Sequence, residues 1–394
     1  MKKNVLDTCY RILLGVILGM FVLGQFGRFE LEMGRAIYFQ DILLSLFILL
    51  FSFQYPKRVI HAIRTNILLR SLIFFDLWII FTSVLFFHND VSQLLTSILY
   101  LIRFNVIIGF GLTLTSLVQQ KIVSMREIRI GVALTTVGIA LAGLAQYVFF
   151  PDTRSLVLMG WDDHLYRLIS TIFDPGFTGI ILAVGCLLFL YRFLQTRSYF
   201  YPTVLAFLVL FVSLLLTYSR ASYLAFGAGV LYLVYLYKRI SILLILLLFA
   251  AGIILLPSPA GEGVNLLRTA SANARVESVQ TAFSGMGPLQ ALIGEGWYAK
   301  KQINPLSHSS APENSYVFIF TSLGIVGVGL WSQLVWRSLQ AVKWNSVVIV
   351  SCVAIGVHAL FSNTLFHPFV LLLLVTIMAG NGPLTQKLSL PKQR

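Results

Sequence analysis

Charge is what this 394-residue chain has least of: 11% of its residues are Asp, Glu, Lys or Arg, against about 25% in an average soluble domain. That shortage excludes an ordinary soluble enzyme. Cysteine is scarce too. Cys9, Cys186 and Cys352 lie far apart within or beside apolar runs, so neither a disulfide framework nor a zinc site has any spacing to rest on, and all three read as small packing residues. No Walker A pattern is present, no Gly-x-Gly-x-x-Gly follows a strand, and no Asp-x-Asp pair offers to hold the metal of a nucleotide-sugar donor. Nucleotide-driven chemistry is thereby disfavoured. There is no internal repeat, and no small-x-small cleavage site follows the first apolar stretch, which reads as a first span and not as a secretory signal.

What is present in excess is apolar surface. Hydrophobic residues make up 58% of the chain, including 31 Phe and 16 Tyr, and the mean hydropathy is +0.85. Since roughly 20 apolar residues cross a bilayer as a helix, runs starting near Tyr10, Ile37, Leu68, Leu94, Ile128, Phe173, Tyr199, Ala221, Ile240, Ser315, Asn345 and Pro368 predict about 12 transmembrane helices. The expected fold is all-α: one polytopic integral membrane domain over 1–382, with a cytoplasmic tail at 383–394. The net charge of +14 sets the orientation. With the N-terminus inside, the inner segments hold 17 of the 29 Lys and Arg and total +15, while the outer face totals −2. That asymmetry follows the positive-inside rule, places both termini in the cytoplasm and leaves nothing to support a nucleic-acid partner.

Two outside loops exceed a turn, a smaller one at 151–172 and a large one at 257–314, and long loops of this kind usually carry function. In the large one, Asn273 is a candidate N-cap for an amphipathic helix with Arg275 in its first turn and Val276, Val279 and Phe283 on one face. Arg220 falls in a hairpin too short to carry it into water, so it must snorkel or meet an anion. Arg167 stands just before the sixth span. His308, Glu313 and Asn314 stand before the tenth, where a carboxylate or imidazole beside Arg suits a general base, although Glu313 and Asn314 also suit a helix cap. Asp162, Asp163 and His164 can touch a cation but read better as a solvated loop. Inside the membrane, Asp41, Arg70, Asp76 and Arg103 are candidates by default, with Asp76 and Arg103 expected to pair. Gly15 and Gly19 are expected to mark a helix contact.

Four pieces occur in order over 167–329: Arg167-Leu-Ile-Ser-Thr-Ile-Phe-Asp-Pro; Leu216-Thr-Tyr-Ser-Arg-Ala-Ser-Tyr; Arg275 upstream of Leu292-Ile-Gly-Glu-Gly; and Glu313-Asn-Ser-Tyr with Gly324 and Gly327. Together they resemble the O-antigen ligase and polymerase superfamily of bacterial membrane glycosyltransferases. Ligases of that family carry His followed by Asn, Ser or Gln, nine residues, Gly and two residues before a small or aromatic one. Asn314, Gly324 and Gly327 fit, but Glu313 stands at the His position. The resemblance implies an inverting transferase of the bacterial inner membrane, taking a glycan from a polyprenyl-diphosphate donor to a glycan or lipid A-core acceptor. Glu313 or His308 would be the base. Arg220, Arg275 and Arg167 would hold the diphosphate, with Asn314 and Tyr218 as further candidates. No cofactor or metal is implied, because guanidinium forks can compensate a leaving diphosphate. Membrane lipids and a chain-length regulator are the remaining candidate partners.

Overall fold

A computed structural model describes residues 2–30, 35–195, 200–257, 259, 262–298 and 312–382. The chain is helical almost throughout. α1 (Lys2–Leu23) is followed by β1 (Arg28–Glu30) and β2 (Ala36–Tyr38), an antiparallel pair with Arg28 opposite Tyr38. This hairpin departs from the all-α expectation. It falls in the break between the first two apolar runs, where backbone groups have no helix to satisfy them and pair with each other. α2 (Phe39–Gln54) opens with the Asp41 carboxylate accepting from the Tyr38 amide at 3.1 Å. At Tyr55 the chain bends by 100° into α3 (Pro56–Thr65), because proline can open a helix but not continue one.

α4 (Ile67–Phe87), α5 (Val91–Gln119) and α6 (Met125–Phe149) are capped by Asn66, Asp90 and Ser124, whose side-chain oxygens each accept an orphaned first-turn amide. Beyond the 150–174 loop come α7 (Pro175–Gln195), α8 (Phe200–Leu216), α9 (Arg220–Tyr237) and α10 (Leu243–Ile254). The next long connection contains α11 (Ala270–Phe283) and α12 (Pro288–Ile293), and the chain closes with α13 (Ser315–Ala341), α14 (Ser346–His358) and α15 (Pro368–Asn381).

Among the described residues, six helices are long and apolar enough to cross a membrane, or up to seven if the bent α2–α3 pair is one span. A helix stands at each of the twelve apolar starts, but α8, α10, α14 and α15 are shorter apolar helices of 10–17 residues. Thirteen residues, as in α14, rise only about 20 Å, less than the hydrocarbon thickness of about 30 Å. α7 is the central helix, enclosed by α6, α8, α9 and α14, while α15 seals α5 and α6.

Several sequence expectations change. Arg103 pairs with Asp41 at 3.0 Å, not with Asp76, because the β-hairpin brings the start of α2 beside α5. A Cβ on Gly15 or Gly19 would meet nothing within 4 Å, so these glycines face away from the other helices. Cys9 is exposed and is no packing residue, whereas Cys186 is buried.

α13 is broken at Gly324, whose φ of 67° and ψ of −172° suit glycine alone. The freed carbonyls of Thr321 and Ser322 accept from the amides of Glu295 and Gly296 at 2.9 and 3.0 Å, and that of Leu323 accepts from Trp78 Nε1 at 2.9 Å. The contact is reciprocal: a Cβ on Gly294 would lie 2.2 Å from the Ser322 oxygen, and one on Gly324 would lie 2.3 Å from the Leu292 oxygen. The Leu292-Ile-Gly-Glu-Gly segment is thus the backbone partner of the α13 break.

Candidate functional site

The candidate residues gather at the end of the bundle where α7, α9 and α13 begin. The 150–174 loop reaches it by folding back on itself. Thr153 N and Oγ1 both donate to the His164 carbonyl at 2.9 Å, and Tyr166 N donates to Pro151 O at 2.8 Å. Arg154 pairs with Asp152 at 2.6 Å on the exposed side, holding that carboxyl down at about 2. The same fold leaves Asp162 and Asp163 exposed but buries His164, which therefore does not belong to a solvated loop.

Arg167 is buried with 8% of its surface exposed. Its Nε donates to Thr217 O at 3.1 Å and its Nη2 to Tyr218 O at 3.4 Å, both in the turn between α8 and α9. Burial and the neighbouring Arg268 push its proton affinity down to about 9, against the pull of Asp174. Tyr218, in left-handed backbone with φ of 50°, donates its hydroxyl to Pro257 O at 2.7 Å and so anchors the start of the 257–269 segment. Arg220 is held by backbone. Its Nη1 donates to the carbonyls of Arg268 at 2.9 Å and Leu266 at 3.3 Å. Arg268 in turn donates to Gly263 O at 2.7 Å, Asn265 O at 3.0 Å and Tyr218 O at 3.4 Å.

α11 starts after Thr269 and not at Asn273, which lies inside its first turn. Ser278 and Ala282 form its buried face, with half-buried Arg275 on the same side, while Val276 and Phe283 are exposed. Arg275 Nε lies 3.3 Å from Glu313 Oε2 and donates to Phe361 O at 2.9 Å. The Glu313 amide faces Ser278 Oγ at 3.3 Å. Burial raises the proton affinity of Glu313; Arg275 opposes this, and the nearby carboxylates of Asp162 and Asp174 add to it. Asn314 caps α13, its Oδ1 accepting from Tyr316 N at 2.9 Å and Val317 N at 3.1 Å. His308 lies outside the described residues.

Asp174 stands in the Arg167–Pro175 piece quoted above but is not singled out there as a site residue. Its Oδ1 accepts from Phe177 N at 2.7 Å at the start of α7, and burial raises its proton affinity. It comes together with Asp162 and His164 so that one ligand atom of each lies within 4.8 Å of the others. These three can hold a cation. His164 would offer a neutral imidazole, since burial, Arg167 and Arg268 push its proton affinity down to about 3. Arg167, Arg268 and Arg275 lie in the same electrostatic neighbourhood as Asp162, Asp174 and Glu313. Fixed guanidinium charge can then bind an anion, and a carboxylate with raised proton affinity can accept a proton. His358, at the C-terminal end of α14, lies beneath this cluster, fully buried with Nδ1 2.6 Å from Thr364 Oγ1.

Arg167, Tyr218 and Arg220 thus share one network with Arg268, and Arg275, Glu313 and Asn314 a second. Sequence reasoning missed Arg268 and Asp174 as site members. The signal available for Asp174 was its place before a Pro-Gly helix start; Arg268 carried none. Comparison of the chain with protein-family models and with curated proteins finds no match.

Proposed function

We propose that the protein is a multi-pass glycosyltransferase with twelve spans and both termini in the cytoplasm of a bacterial inner membrane. It moves a glycan from a polyprenyl-diphosphate donor to a sugar hydroxyl at the outer face. The observation that carries this reading is the placement of Glu313: a half-exposed carboxylate with raised proton affinity, 3.3 Å from the Arg275 guanidinium.

In the proposed reaction Glu313 takes the proton of the acceptor hydroxyl. The hydroxyl oxygen bonds to the anomeric carbon as the bond from that carbon to the diphosphate oxygen breaks, and the bonding pair leaves with the diphosphate. Arg275 and Arg167, with Arg268 beside them, compensate the charge that develops there. Arg220 acts from behind: its bonds to the carbonyls of Leu266 and Arg268 hold the 266–268 backbone in position. In this reading Arg220 positions that backbone, and direct contact with the diphosphate, as the family resemblance implies, is its other role.

Repeat-unit polymerisation is the favoured form, because Glu313 stands where ligases of the resembling family carry His. Ligation to lipid A-core is the second form, favoured by the spacing of Asn314, Gly324 and Gly327. The deciding experiment supplies purified protein with a lipid-linked repeat unit, with and without lipid A-core. A product ladder without core supports the polymerase and modified core the ligase. Translocation of the lipid without a new glycosidic bond identifies a transporter and rejects the transferase.

A further inference from the structure

We propose that α3 is an interfacial helix that binds anionic phospholipid headgroups, separately from any transfer reaction. It has two faces. Lys57, Arg58, His61 and Arg64 lie on one side, and Val59, Ile60 and Ile63 on the other, a division set by the 3.6-residue period. No residue of α3 is buried. Val59 packs against the core, whereas Ile60 is 51% and Ile63 48% exposed, so about half of these two side chains is left uncovered by the described residues.

Three observations identify the occupant. The first is direction: α3 leaves α2 at 100°, so when α2 runs along the membrane normal α3 lies nearly in the membrane plane. The second is continuity. Phe53 at the end of α2 is 82% exposed and Ile67 at the start of α4 is 54% exposed, so the apolar row of α3 joins the lipid-facing surfaces of the helices on either side. The third is charge. Lys57, Arg58 and Arg64 have no carboxylate within ion-pair distance among the described residues, and Arg70 follows one turn into α4, where it donates to the Arg64 carbonyl. A helix lying in the plane, with exposed Ile60 and Ile63 on one side and bases without a carboxylate partner on the other, matches the boundary between acyl chains and phosphates. A soluble acidic partner would satisfy the bases but leave Ile60 and Ile63 in water.

The test uses the full chain in nanodiscs made from phosphatidylcholine and phosphatidylglycerol. Lipids that remain after delipidation are counted by mass spectrometry. Wild type should retain phosphatidylglycerol preferentially. Combining Lys57→Gln, Arg58→Gln and Arg64→Gln should reduce that preference by roughly fivefold per base removed, while Lys57→Arg, Arg58→Lys and Arg64→Lys together preserve it. A spin label at Ile63→Cys should be shielded from a water-soluble nickel reagent and reached by oxygen, and one at Thr65→Cys should show the reverse. Unchanged lipid preference in the triple Gln variant overturns the proposal. So does equal nickel access at 63 and 65, a readout that holds even if the triple variant fails to insert.

Discussion

Glu313 is pulled two ways. Arg275 at 3.3 Å favours its charged form, whereas burial and the carboxylates of Asp162 and Asp174 favour the protonated one, and the second influence is the larger. A base must be deprotonated to act, so transfer should be lost as pH falls through a carboxylate pKa displaced above its ordinary value. In a pH–rate profile Glu313→Gln should remove that limb and lower the rate by about 10² to 10⁴ with donor binding retained. A wild-type rate in that variant would return the role of base to His308. Arg275→Lys should cost roughly 10² to 10³ in kcat, because a point charge replaces a fork; initial rates at saturating donor are the measurement. Transfer should continue in the presence of a chelator. Loss that a divalent ion restores would assign that ion to Asp162, His164 and Asp174, the trio whose ligand atoms lie within 4.8 Å.

At the scale of elements, the apolar starts were legible because burial in hydrocarbon needs a continuous run, and a run can be read without knowing its neighbours. Helix azimuth could not be read that way. Gly15 and Gly19 share a face with the spacing of a helix contact, but only the packed structure shows that no described residue comes within 4 Å of a Cβ placed there. The Arg103–Asp41 pair was obscured for the same reason, since depth on successive spans suggested Asp76 and the hairpin of β1 and β2 was not foreseen. Glu313 could be named because it stands at a helix start that sequence marks, whereas Arg275 was reached through a start placed at Asn273 that the structure moves back to Ala270. Arg268 could not, because its position depends on a segment tied down by Tyr218 and Arg220. Glycine substitutions separate the two kinds of position. Gly324→Ala and Gly294→Ala force a Cβ against backbone and impose strained dihedrals, of order 1–3 kcal/mol for the dihedrals alone. Both should lower the thermal midpoint in detergent. Gly15→Ala enters open space within a helix and should raise stability by about 0.5–1 kcal/mol.

Taken whole, the molecule places its polar chemistry at one end of an apolar bundle, joined to that bundle by the helix that carries the cap for Glu313's neighbourhood. Only nine residues, Ser315 to Leu323, separate this cap from the break at Gly324, a distance of about 13 Å along the axis. The outer arm of α13 is therefore a short lever, and its fulcrum is not free. Trp78 holds one side of the break and the amides of Glu295 and Gly296 hold the other. The lever is thereby tied at its root to α4 and to the segment after α12. The direction in which the arm bearing Asn314 leaves the break is therefore set by the hydrogen bonds of Trp78, Glu295 and Gly296.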